Sequence, residues 1–408
     1  MSPTLSISTV PEIPTRLVNL DRARATFGHR ADILAGFLHR TDPLAEAVVQ
    51  AFSEMAPGKG KRVLDRALDE GIERVPSPPR ALVALFEQLH ETPFWVDPEQ
   101  LAVGGRAMLR TGIFGLFALG AGSLPLSYAT PAANKPLTFS RRLVEMAPRR
   151  ILDTMRFHLH TCTPGGLAPG ADGFKTTVRV RLVHAQMRRL LLASKGWNHA
   201  AWGAPINQVD QAYATVLFSA YPLGWLSKLG VHFTADERDA AIQLWRYSGH
   251  LMGVDATLLP ATEAEARRFG ELYELTQERP DDDARALVRA LVNAAPVLGQ
   301  SYFGRTDWIP GAFSTLARFF LGPQRADDLG LPASSYAALT PLLRAAVVQT
   351  EAVRRVSPRG YDFAVRAGTA IERGIVEGGL KGGDAKQGGI VEALFGAGRR
   401  NAARAEES

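Results

Sequence analysis

The segment TTVRVRLVHAQMRRLLL, from Thr176 to Leu192, carries side chains whose types and spacing could do chemistry. Read as a helix, it places Arg181, His184 and Arg188 on one face, at i−3, i and i+4. Val180, Met187 and Leu191 lie on or beside that face. Buried charge is costly without compensation, so both arginines should meet carboxylates. Haem would meet all these needs: an iron for the imidazole, propionates for the guanidinium forks, and an apolar ring for the aliphatics. The same residues also fit a plainer arrangement, in which His184 bonds a backbone carbonyl and the arginines pair with acidic residues on neighbouring helices.

A second segment, RRILDTMRFHLH, sets Arg150, Asp153, Thr154 and Phe157 on one helical face. The stretch Thr161–Phe174, TCTPGGLAPGADGF, is too rich in proline and glycine for a helix interior. It should turn the chain back, so that the Arg150 and His184 helices run antiparallel. Thr154 could then face a pocket or bond a carbonyl one turn back. Asp153 could be a solvated helix residue, or a carboxylate exchanging protons with a reactant in a pocket, where desolvation would favour its neutral form. His158, His160, His232 and His250 are rival ligands; His158 and His160 fall on opposite faces and make no natural pair. The paired Glu-x-x-His pattern of di-iron bundles is absent. Trp202, Phe218, Trp225 and Trp245 read as core.

The elements that must position these groups are helices. Strand-like alternation is scarce and 3.6-residue periodicity recurs along the chain. The expected fold is all-α, a single large helical domain over residues 21–373. An extended leader (1–20) precedes it and a glycine-rich flexible tail (374–408) follows. Helices are expected at Asp21–Leu38, Pro43–Ala56 and Lys59–Gly71, with a central one at Arg106–Leu119. A loop through Pro125, Pro131 and Pro136 should follow the central helix. Pro148 should kink a helix or begin one, and Pro222 should break the apolar helix that starts after Gly203. Thr234 is a strong N-cap, with acidic residues in the first turn behind it.

Composition narrows the function. The chain of 408 residues has 47 basic and 41 acidic side chains, a mildly basic surface without the aromatic-interleaved basic blocks of nucleic-acid binders. No glycine-rich loop joins a strand to a helix, so phosphate-cradling nucleotide motifs are absent. No charge-free run reaches the roughly 20 apolar residues of a membrane span. The N-terminal stretch has prolines and acidic residues where an export signal would be apolar, so a cytoplasmic address is expected. One cysteine, Cys162, leaves no internal disulfide and no cysteine-based metal cluster.

Several stretches together resemble a known family, the domain-of-unknown-function group of latex-clearing rubber oxygenases and MpaB-type oxygenases. They are TPFWVD (Thr92–Asp97), RRILDT (Arg149–Thr154), RLVHAQMR (Arg181–Arg188), PINQVDQ and WRYSGHLMGVD. The RxxHxxxR spacing alone is weak; the ordered set from Thr92 to Asp255 is specific. The resemblance implies a globin-like helical core holding haem b. His184 would be the proximal iron ligand, Arg150 and Thr154 would line the pocket, and Arg181 and Arg188 would support the histidine or the propionates. Dioxygen and a small apolar substrate, a terpenoid, polyketide or lipid, would be the reactants. The sequence departs from the family at two places. Latex-clearing enzymes carry a lysine directly before the threonine that matches Thr154, and here that residue is Asp153. Their upstream glutamate falls at Asn134. Peroxide-dependent or non-redox haem chemistry, and a non-catalytic haem carrier or sensor, are the rival functions.

Overall fold

Helix-favouring periodicity with few β-branched alternations leaves little to form a sheet, and the described residues of the computed structural model contain no strand. These residues are 13–139, 143–303, 305–355 and 357–382. The first part of the expected leader, residues 1–12, and most of the expected tail, residues 383–408, lie outside them. Residues 13–18 are tied down: Arg16 donates to both carboxylate oxygens of Asp210, at 2.9 and 2.8 Å, and Val18 N–H bonds the Thr276 carbonyl.

Two helices form the scaffold of interest. The arginine helix, Leu143–Cys162, carries Arg150, Asp153 and Thr154. The histidine helix, Asp172–Ala193, carries Arg181, His184 and Arg188. The proline-glycine loop returns the chain as expected, and His160 bonds the Thr176 hydroxyl across the pair at 3.0 Å. Pro148 is accommodated inside the arginine helix. The helix Pro98–Leu109 packs flat against both the arginine helix and the helix Ala235–Leu251. Glycine permits this: a Cβ on Gly104 would lie 2.3 Å from the Ala240 carbonyl oxygen, and one on Gly105 2.0 Å from that of Cys162.

The family-like stretches have plain structural work. Asp97 of TPFWVD caps the helix Pro98–Leu109, accepting from the Glu99 N–H at 2.9 Å. Trp95 lies under the Arg246 guanidinium at 4.0 Å. Thr234 forms a full capping box with Glu237.

Four expectations need correction. Asp21–Leu38 is two helices, Leu20–Phe27 and Arg30–Phe37, divided at Gly28, whose φ of +63° ends the first. No helix spans Arg106–Leu119; the chain turns by 85° between Pro98–Leu109 and the apolar stretch Ile113–Tyr128. Among the described residues no single helix is long and apolar enough to cross a membrane. The following prolines are helical rather than loop: Pro125 lies within the helical run Ile113–Tyr128, just after its π-helical turn, and Pro131 sits in a first turn, where its missing N–H would have no partner anyway. For the same reason Pro222 does not break its helix; the break is Ser219, between Gln208–Phe218 and Ala220–Leu229.

The expected tail is also partly structured. A helix runs Pro358–Gly382, with Ile375 and Val376 buried.

Candidate active site

Between the arginine and histidine helices lies a cavity of about 1390 Å³, larger than the ~300–1,000 Å³ usual for small-molecule sites. The histidine helix contributes Val180, Val183, His184 and Met187. The arginine helix faces it with Arg150, Asp153, Thr154 and Phe157. The helix Gln208–Phe218 adds Gln211, Thr215 and Phe218, and Ala235–Leu251 adds Trp245 and Ser248. One end is closed by a wide π-helical turn, Ala118–Ser123, which presents Leu119, Gly120 and Ser123. Tertiary folding thus brings His184, Arg150, Asp153 and Thr154 to one space.

His184 is the one member of its trio on the cavity. Its Nδ1 lies 3.3 Å from Gln211 Oε1. Burial, then the charge of Arg188, pushes the imidazole down to about 4, so the ring is neutral and can offer a lone pair.

The two arginines beside it have other occupations. Arg181 donates to both Asp42 oxygens at 2.7 and 3.0 Å, and further to Gln88 and the Leu251 carbonyl. Gly253 makes room for this pair: at φ +83° it would place a Cβ 2.6 Å from both Arg181 and Asp42. Arg188 donates to Glu46 at 2.6 Å and to the Ile206 carbonyl at 3.1 Å. The carboxylates that these buried charges need therefore come from the protein, and neither arginine lines the cavity. Arg188 Nη2 stays buried without a hydrogen-bond partner among the described residues.

On the opposite wall, Arg150 is the contrast. It lines the cavity, and no carboxylate pairs with it among the described residues; burial lowers its pKa, opposed only by Tyr128 nearby. Thr154 donates its hydroxyl proton to the Arg150 carbonyl at 2.9 Å, one turn back, and still faces the cavity. Of the two places open to Asp153, solvated helix surface or apolar pocket, the fold gives it one nearer the first. It sits at the charged rim, 3.3 Å from both Arg149 and Arg156, and is partly exposed. Lys61, Asp65 and Arg179 continue this rim as further ion pairs. Asn134, where the family's glutamate would fall, is buried and bonds the Tyr128 carbonyl.

The rival histidines are also placed. His158 lines the cavity but is held at Nδ1 by Glu372, 2.8 Å away, and stacks on Trp245. Burial works against a charged His158 ring, but Cys162 and Glu372 beside it carry its pKa well above the ordinary value. His250 is 3.4 Å from Gln88, away from the cavity. Among the described residues no group of three or more His, Cys, Asp or Glu gathers.

Sequence reasoning passed over Gln211 and read Trp245 as core alone. Trp245 is core, stacked on Phe218 at 4.5 Å, and also wall; its buried Nε1–H has no partner among the described residues. The signal for Gln211 was its place in PINQVDQ, where each polar residue is engaged. Asn207 caps the helix, Gln208 bonds the Thr41 and Gly253 carbonyls, Asp210 holds Arg16, and Gln211 meets His184.

Comparison with known proteins agrees with this architecture. Residues 106–352 match the sequence profile of the family described as ER-bound oxygenase mpaB/B'/Rubber oxygenase, catalytic domain. The rubber oxygenase of Streptomyces sp. (strain K30) is 27% identical over 271 residues, which cover 65% of this chain and 63% of that protein. The chain thus matches somewhat under two thirds of that relative's length. The solved structure of latex clearing protein LCP in the closed state has a similar fold, with a TM-score of 0.64 at 20% identity, over 81% of this chain and 90% of that one.

Proposed function

The chain belongs to the mpaB/rubber oxygenase catalytic-domain family, and from that premise we propose that it is a haem b-dependent oxygenase acting on an apolar substrate. The observation that carries this reading is His184: a neutral imidazole on the wall of a large cavity, facing an arginine that no carboxylate pairs with among the described residues. A lone histidine makes a poor metal site by itself. It suits a metal that brings its other donors in a macrocycle. The lining fits such a group: aliphatic and aromatic side chains dominate its surface around His184 and Arg150, and the charged side chains Lys61, Asp65, Arg149, Arg156 and Arg179 gather at the rim.

When bound, haem supplies the iron chemistry by which dioxygen is activated. The protein's share is binding, orientation and proton supply. His184 would hold the iron. Arg150 offers its guanidinium to a negative group, a propionate or a substrate carboxylate. Phe157, Phe218, Val183 and Met187 exclude water and favour an apolar substrate such as a terpenoid, polyketide or lipid, oxidised at a carbon–carbon double bond. Asp153 at the rim can pass protons between solvent and the cavity, a role that a lysine ligand in its place would not serve.

The test is the absorption spectrum of the purified chain and of His184→Ala. The wild type should show a Soret band that shifts with reductant and carbon monoxide, and the variant should lose it. Full haem content in the variant would overturn the assignment. One observation favours a second reading. Arg150 is also suited to stabilise negative charge on a peroxide co-substrate. Turnover with peroxide under anaerobic conditions, and none with dioxygen, would select that chemistry.

A further inference from the structure

This inference rests on His184 as the axial ligand. An amide can face an imidazole with its oxygen or its nitrogen, and the two choices impose opposite tautomers. Here the choice is made by a backbone carbonyl. Ile206 C=O accepts Gln211 Nε2 at 3.4 Å and Arg188 Nη1 at 3.1 Å. Turning the amide round would set Gln211 Oε1 against that carbonyl, acceptor to acceptor. Oε1 therefore faces His184 and accepts its Nδ1–H, which leaves the Nε2 lone pair free for a metal.

The carbonyl is itself held under strain. Ile206 has φ +49°, a left-handed conformation that a β-branched residue adopts only under strain. Arg188, almost fully buried, is anchored by Glu46 at 2.6 Å and reaches the Ile206 oxygen from the histidine helix. We propose that Gln211 and Arg188 are positioning residues for His184: Arg188 pins the Ile206 carbonyl, the carbonyl orients the Gln211 amide, and the amide fixes the imidazole. An amide is a weaker acceptor than a carboxylate, so the ligand stays a neutral imidazole with little imidazolate character.

The experiment uses the full-length haem protein and compares wild type, Gln211→Leu, Gln211→Glu and Arg188→Met. The iron–histidine stretching frequency from resonance Raman should fall in Gln211→Leu and rise in Gln211→Glu, where a carboxylate pulls harder on Nδ1–H. Haem loss to apomyoglobin should quicken about ten- to a hundredfold in Gln211→Leu, the usual cost of deleting a metal ligand's outer partner. Arg188→Met should move both readouts in the direction of Gln211→Leu. Ile206→Gly, which removes the left-handed strain, should partly restore them in the Arg188→Met background and also guards against a variant that merely folds poorly. An unchanged stretching frequency in haem-loaded Gln211→Leu would overturn the proposal while leaving His184 as ligand. Retention of haem by His184→Ala would overturn the ligand reading itself.

Discussion

The two walls of the cavity treat arginine in opposite ways. On the histidine helix, Arg181 and Arg188 are buried and paired with Asp42 and Glu46, at the start of the helix Pro43–Ser53, with only Arg188 Nη2 left unpartnered among the described residues. On the arginine helix, Arg150 faces the cavity with no carboxylate beside it among the described residues, while Asp153 is drawn to the rim by Arg149 and Arg156. The first wall has its charges paired within the protein and holds one histidine in place. The second leaves a charge for something else to meet. Rigidity on one side and unmet polarity on the other is what a site needs to hold one partner fixed and receive another.

The largest expected effect probes the finished wall. Arg181→Ala strands Asp42 in the core, and losing one member of a buried pair costs roughly 3–5 kcal/mol. Thermal unfolding should show it, whether or not haem is present. A change below about 1 kcal/mol would mean that Asp42 finds water and that the wall is less closed than it looks.

Next comes the latch between the arginine helix and the helix Pro358–Gly382. His158 has a raised pKa beside Glu372, so its contribution to stability is full below the unfolded value of about 6.5. It is lost as pH rises through the folded value, because the folded state then gives up a proton that it had held more tightly than the unfolded chain. The melting temperature should therefore decline with rising pH in wild type, and more weakly in Glu372→Gln. That variant should cost about 1–3 kcal/mol near neutral pH for the weakened buried bond. Identical pH slopes for the two proteins would remove the latch.

Smaller still is Asp153→Asn. Its ion pairs are partly exposed, so stability should change by about 0–1 kcal/mol. Turnover should slow and its solvent deuterium isotope effect should grow, because the rim loses the carboxylate proposed to pass protons. An unchanged isotope effect would make Asp153 a rim residue only.

The smallest stability effect is expected on the unfinished wall. Arg150→Met removes a half-buried charge that has no carboxylate partner, so the ligand-free protein should unfold no earlier than wild type. Haem or substrate should nevertheless bind more weakly, read by titration. A marked loss of stability without ligand would show that Arg150 is satisfied within the protein and would collapse the contrast between the walls.

Much of this was legible along the chain. Helical periodicity announced an all-helical fold, because a 3.6-residue apolar repeat has no use in a sheet. The proline-glycine loop announced that the arginine and histidine helices run antiparallel, and the order of motifs announced the family. Helical spacing offered His184, Arg150 and Thr154 as face-sharing candidates, the resemblance singled them out, and all three line the cavity. Prolines misled where position decides their effect: Pro131 and Pro222 fall in first turns, where a missing N–H costs nothing.

Sequence by itself thus determined the helices, their faces and the residue types offered to the cavity. Only the tertiary structure decided which charges were already spoken for. Asp42 and Glu46 lie about 140 positions from the arginines that they meet. Glu372 is 214 residues from His158, and Gln211 reaches His184 from another helix, its amide oriented by the Ile206 carbonyl. Such pairings depend on how helices pack, and packing is set by the sum of many side-chain contacts that no local spacing records.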